Sequence, residues 1–189
     1  MSCSRPEPSA LWIAPALDER AALRRFHHRG PMFSLSTLLG LDYSGPALTE
    51  RVWMPYAVIG AEARRPGASL PLFCLVDRIH GDCYRLEERP QPAAIAPQQE
   101  AFAAEIGLDA CRTLATRFLG RSLVVRRAAS YELRVLTSDP CLYPLWVGYT
   151  KRRKGRYALR LLDAVTGKAG AAGVKRALLT ALRTADQSL

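Results

Sequence analysis

Cys74, His80 and Cys83 fall in one short stretch of the chain and carry the thiolate and imidazole groups that zinc prefers. A closed zinc site needs four well-placed ligands, however, and this spacing has no Cys-x-x-Cys pair and no fourth ligand nearby. Cys111 and Cys141 are candidate nucleophiles, yet neither lies in a Cys/His signature, and a buried cysteine usually packs as a small apolar residue. Val165-Thr166-Gly167-Lys168-Ala169 has the outline of a phosphate loop but fails it: Leu162 stands where the first glycine belongs, and Ala169 where Ser or Thr would bind magnesium. No Ser-His-Asp pattern, dinucleotide-binding glycine loop or His-Glu-x-x-His is present. The expectation is therefore no catalytic residue, no cofactor and no metal. An enzyme would need a cleft between two halves of the molecule, with Cys74, Asp77, His80 and Cys83 the first suspects.

Lys151-Arg152-Arg153-Lys154-Gly155-Arg156 has a different chemistry. Five cations flanked by Tyr149 and Tyr157 on a hairpin tip can neutralise phosphates while a ring stacks on a base, or can grip another anionic partner. The plainer reading is a solvated turn. The formal charge of +10 would draw in nucleic acid, but 23 of the 27 basic residues are Arg and the chain has no Asn, a composition that a GC-rich genome yields without selection for binding.

The elements that must position these groups repeat. Val52-Trp53-Met54-Pro55-Tyr56-Ala57-Val58 leads to Val76-Asp77-Arg78-Ile79-His80-Gly81, and Leu142-Tyr143-Pro144-Leu145-Trp146-Val147 leads to Leu162-Asp163-Ala164-Val165-Thr166-Gly167. Both copies place Val three after Pro and Gly four after Asp, which reads as one hairpin unit used twice. The Asp accepts backbone N–H bonds across the turn and the Gly takes positive φ, so Asp77, Gly81, Asp163 and Gly167 are turn formers rather than a catalytic pair. Trp53 and Trp146, taken as matching points of the two copies, are core residues.

Pro15 to Arg29 predicts a helix ending at Gly30-Pro31, with His27-His28 at its C-terminus. Val52 to Ala61 and Leu70 to Val76 predict a hairpin, with Pro55 arguing for an edge. A second helix is expected from Gln98 to Leu119, broken if Gly107 ends a turn. Ser122 to Leu136 reads as a strand, then Tyr143 to Thr150 and Arg156 to Leu162 as the second hairpin, with the Arg156/Arg160 face wet. Gly173 to Ala185 is an amphipathic helix. Glu87 to Gln99, rich in Pro, Gln and Ala, is the natural boundary. The division is 1–88 for a first repeat, 89–99 for a linker and 100–189 for a second repeat. Antiparallel strands with one polar face need a helix on the other. The fold class is thus α+β, two similar helix-plus-antiparallel-sheet halves packed as one compact body.

Five cysteines, Cys3, Cys74, Cys83, Cys111 and Cys141, make an odd set without framework spacing and are expected to be reduced. Pro and Glu in the first residues do not suit a signal peptide, and no run approaches the roughly 18 apolar residues of a membrane span. The expected location is the cytoplasm.

Arg160-Leu161-Leu162-Asp163-Ala164-Val165-Thr166-Gly167-Lys168 resembles the end of PepSY-type domains, small helix-plus-sheet modules whose last strand finishes in a Val-Asp-x-x-Thr-Gly turn. The Tyr143-Pro144-x-Trp146 start is similar to related uncharacterised bacterial proteins. The likeness covers about residues 98–170 and, more loosely, 15–85, where His80 replaces the Thr. It implies a non-enzymatic module that binds peptides, inhibits peptidases or serves in assembly. The expected function is a protein-binding or adaptor module of a bacterial cytoplasmic system. An RNA- or DNA-binding protein using the basic tip is the first alternative, and an enzyme the second.

Overall fold

The computed structural model describes residues 10–27, 46, 48–94, 101–125, 131–151 and 157–187. In chain order they form β1 (Leu11–Trp12), α1 (Glu19–His27), β2 (Leu48–Arg65), β3 (Ala68–Asp77), β4 (Cys83–Leu86), α2 (Leu108–Val125), β5 (Glu132–Lys151), β6 (Tyr157–Asp163) and α3 (Ala172–Gln187).

The strands do not form two antiparallel sheets. They make one mixed six-stranded sheet in the order β1-β5-β2-β3-β4, with β6 beside β5, and strand outweighs helix by 47% to 27%. This corrects the expectation of two α+β halves. The physical reason lies in β2 and β5, which run 18 and 20 residues without a break. From Trp53 to Ala61 every side chain of β2 is buried, so neither of its faces is the polar one that a separate half would need. Pro55, Pro140 and Pro144 are absorbed within these strands rather than confining them to an edge. The sheet is also not purely antiparallel, because β1 runs parallel to β5, pairing Leu11 with Cys141 and Trp12 with Leu142.

The chain divides into two compact units that do not follow its order. The first comprises residues 1–14, 53–143 and 172–189, the second residues 15–52 and 144–171. In the first unit β2, β3 and β4 form an antiparallel meander, with Tyr56 opposite Asp77 and Val76 opposite Cys83. Against it lies α2, whose Cys111, Ala115, Leu119 and Leu123 recur every fourth residue and bury one face on Ala57, Ile59, Ala61, Leu72, Cys74 and Val76. The helix begins only after Gly107, whose carbonyl takes the Cys111 N–H. It then runs to Val125, through residues expected to be strand. Gln91 to Ala93, inside the expected linker, is pinned by backbone bonds to Trp12 and Ala14. The same unit holds α3, with Val174, Ala177, Leu178 and Ala181 buried.

In the second unit α1 starts at an N-cap, Asp18, whose Oδ1 accepts the Ala21 N–H at 2.6 Å. Its Ala22 and Phe26 pack with Leu17, Trp146, Leu162 and Ala164 under the β5–β6 hairpin. Arg160 donates to the Phe26 carbonyl at 2.7 Å, capping the helix C-terminus, so the Arg160 face of β6 is the covered face and not the wet one. Helix α1 thus packs with the β5–β6 hairpin, far from it in the chain, while α2 packs on β2–β4 and on the start of β5.

Candidate functional site

The two turns repeat bond for bond. Asp77 takes the Ile79 N–H on Oδ1 at 2.9 Å and the His80 N–H on Oδ2 at 3.2 Å, while its carbonyl takes the Gly81 N–H at 2.8 Å. Asp163 Oδ1 takes the Val165 and Thr166 N–H groups at 2.8 and 3.0 Å, and its carbonyl the Gly167 N–H at 2.8 Å. Gly81 and Gly167 have φ of 80° and 69°, where a side chain is strained. Arg78 then donates its N–H to Pro55, and Ala164 to Pro144. The carbonyl of Arg78 receives the N–H groups of Glu105 and Ile106 ahead of α2, and that of Ala164 those of Ala16 and Leu17 ahead of α1. Each carboxylate thus takes two backbone N–H groups of its own turn. Burial pushes the Asp77 carboxyl above its ordinary range despite its two N–H donors.

The thiols are poorly placed for chemistry. Burial raises all four described cysteines, Cys74 to about 12 and Cys83 to about 11, so each is a protonated thiol at neutral pH. Cys83 gives its proton to the Gly81 carbonyl at 3.6 Å, and His80 Nε2 lies 3.0 Å from the Thr180 hydroxyl. Among the described residues no group of three or more His, Cys, Asp or Glu is arranged to hold a metal.

On the basic hairpin, residues 152–156 lie outside the described residues. So Arg152, Arg153, Lys154 and Arg156 have no described position, and of Lys151 only the backbone is described, opposite Tyr157. Tyr149 and Tyr157 lie on the same face of the β5–β6 ladder but differ in state. Tyr149 is half-buried and gives its hydroxyl proton to Glu50, and burial followed by that carboxylate raises it. Tyr157 is 63% exposed. Among the described residues, Tyr157 to Arg160 pair on one side only, with β5.

Trp53 and Trp146 are both buried, but at different places. Trp53 meets Trp12 edge to face at 4.8 Å and clusters with Ala101 and Leu142 in the first unit. Trp146 packs under α1 in the second, with its Nε1–H on the Leu17 carbonyl at 3.0 Å. One stands two residues before its proline and the other two after, so they are not equivalents.

A cleft in the first unit, which the motifs did not announce, is lined by Asp82, Cys83, Tyr84, Ala172, Gly173 and Arg176 and has a volume of about 530 Å³. Asp82 follows the Asp77–Gly81 turn, and its Oδ2 receives Arg176 Nη2 from α3 at 2.8 Å. The Tyr84 hydroxyl is buried with no hydrogen-bond partner among the described residues. Burial, then the carboxylates of Asp82 and Asp77, hold it up at about 12, so it is a neutral donor at physiological pH. Sequence could have hinted at this only through Asp82-x-Tyr84, two polar groups alternating with Cys83 directly after a turn. Their partner Arg176 is distant in the chain.

No family profile, curated protein or solved structure matches this chain.

Proposed function

We propose that this chain is a non-enzymatic protein-binding or adaptor module that receives an acidic, extended segment of its partner along β6. The observation that carries the reading is the one-sided pairing of Tyr157 to Arg160 among the described residues, next to an exposed tyrosine. An unpaired strand edge offers its N–H and C=O groups to another strand, and flanking side chains then select the partner. Residues 144–171 hold seven Lys and Arg against a single Asp, so the selected segment is acidic. The engagement of Asp77, Asp163 and the thiols in packing and turns supports a binding role over a catalytic one. Free cysteines suit a reducing compartment.

The basic tip keeps nucleic acid as the second reading. Tyr149, bonded to Glu50, is a weaker stacking platform than an unengaged ring, which favours the peptide. The deciding experiment is amide exchange of the full chain with an acidic peptide or with single-stranded RNA, beside salt-dependent affinities for both. Strand addition predicts slowed exchange at the outward-facing amides of Tyr157 and Leu159 with the peptide, and weaker binding in Tyr157→Ala. Tight RNA binding with a steep salt slope and no amide protection, abolished when Lys151, Arg152, Arg153 and Lys154 all become Ala, would replace it with the nucleic-acid reading.

A further inference from the structure

We infer that the cleft lined by Asp82, Tyr84, Gly173 and Arg176 binds a free α-amino acid, with Arg176 and the Tyr84 hydroxyl taking the carboxylate and Asp82 the ammonium. Three independent features point there. Asp82, just before β4, and Arg176 of α3 both line the cleft and pair at 2.8 Å, setting side by side one negative and one positive group, complementary to the two charges an α-amino acid carries on one carbon. Both side chains are partly exposed, 34% and 63%, so opening the pair to admit such a zwitterion replaces one set of charge contacts with two. The whole cleft, about 530 Å³, falls in the range of small-molecule sites and leaves room for an amino acid's side chain.

The second feature is the Tyr84 hydroxyl, buried and without a partner among the described residues. Such a group destabilises the ligand-free fold unless something supplies an acceptor. Tyr84 lines the same cleft as the Asp82–Arg176 pair, and a carboxylate oxygen held by Arg176 would supply the acceptor its hydroxyl lacks. The third is Gly173 in the wall. A Cβ there would stand 2.8 Å from Tyr84 Oη and closer still to Asp82 Oδ2, so a side chain at this position would push both groups aside. The inference is independent of the β6 edge, which lies in the other unit.

Calorimetric titration of the full chain with L-serine, L-leucine and L-glutamine, each beside its N-acetyl and its amide form, tests the idea. Saturable binding of at least one free amino acid is expected, weakened tenfold or more by blocking either end. Tyr84→Phe separates binding from folding: affinity should fall about tenfold while the ligand-free protein melts at the same temperature or higher, because a buried unpaired hydroxyl has been removed. Asp82→Asn should weaken the free amino acid and spare its N-acetyl form. The inference is overturned if no free amino acid binds, if blocked forms bind as well, or if Tyr84→Phe lowers the melting temperature and leaves affinity unchanged.

Discussion

Asp77 and Asp163 hold the same pair of turn N–H groups in two different units, but Asp77 does so with its side chain wholly out of solvent whereas Asp163 is half-buried. Replacing Asp77 strands the buried N–H of Ile79 where water cannot reach it, and frees the part-buried N–H of His80. Asp77→Ala should therefore cost about 2–3 kcal/mol and Asp163→Ala about 1 kcal/mol, read by urea unfolding. Equal losses would show that burial does not set the value of this turn.

The same burial gives Asp77 a pH signature. Its carboxyl is raised in the folded protein, so the native state binds a proton more tightly than the unfolded chain does. Its contribution to stability is then greatest at low pH and declines as pH rises from the ordinary aspartate value of about 3.9 through the raised one. Asp77→Asn keeps an acceptor and removes the titration. Melting temperature followed from pH 3 upward should show wild type losing ground to the variant across that window. Parallel curves would refute the shift.

Trp146 closes the core of the second unit and is tied to the Leu17 carbonyl. Trp146→Ala should cost about 3–5 kcal/mol, and Trp146→Phe about 1 kcal/mol or more for the lost bond and unfilled volume. Iodide quenching should leave wild-type Trp146 nearly untouched. Ready quenching would remove it from the core.

Arg160 replaces a wet strand position with a helix cap. Arg160→Ala should destabilise by about 1.5–3 kcal/mol, and Arg160→Lys should recover only part, since the guanidinium both reaches the Phe26 carbonyl and lies over its ring, 5.9 Å from the centroid. Circular dichroism melts of the two variants decide it. Full rescue by Lys would leave charge alone as the cause.

Local chemistry was legible from the residues alone. The Asp-x-x-x-Gly spacing carries its turn within five residues, and apolar runs mark the strands, because both depend on near neighbours. What could not be read is where each helix goes. Nothing in Ala22 and Phe26 distinguishes the β2–β3 hairpin that follows them from the distant β5–β6 hairpin they pack with, since both offer apolar residues. Arg160 misled for the same reason: alternation tells which residues share a face, but a charged side chain can sit on a covered face when it meets a helix end. The cleft escaped because Tyr84 and Arg176 come from distant segments, and an orphaned hydroxyl leaves no trace in a sequence.

The packing of α1 on a hairpin far along the chain also sets a schedule for synthesis. Leu17, Ala22 and Phe26 leave the ribosome early, but Trp146, Leu162 and Ala164, the residues that cover them, follow about 120 residues later. At about 5–20 residues per second the apolar stripe of α1 waits on the order of ten seconds for its cover. During that interval it is a target for nascent-chain chaperones, and neighbouring chains on one messenger are close enough for α1 of one to close on the β5–β6 hairpin of another.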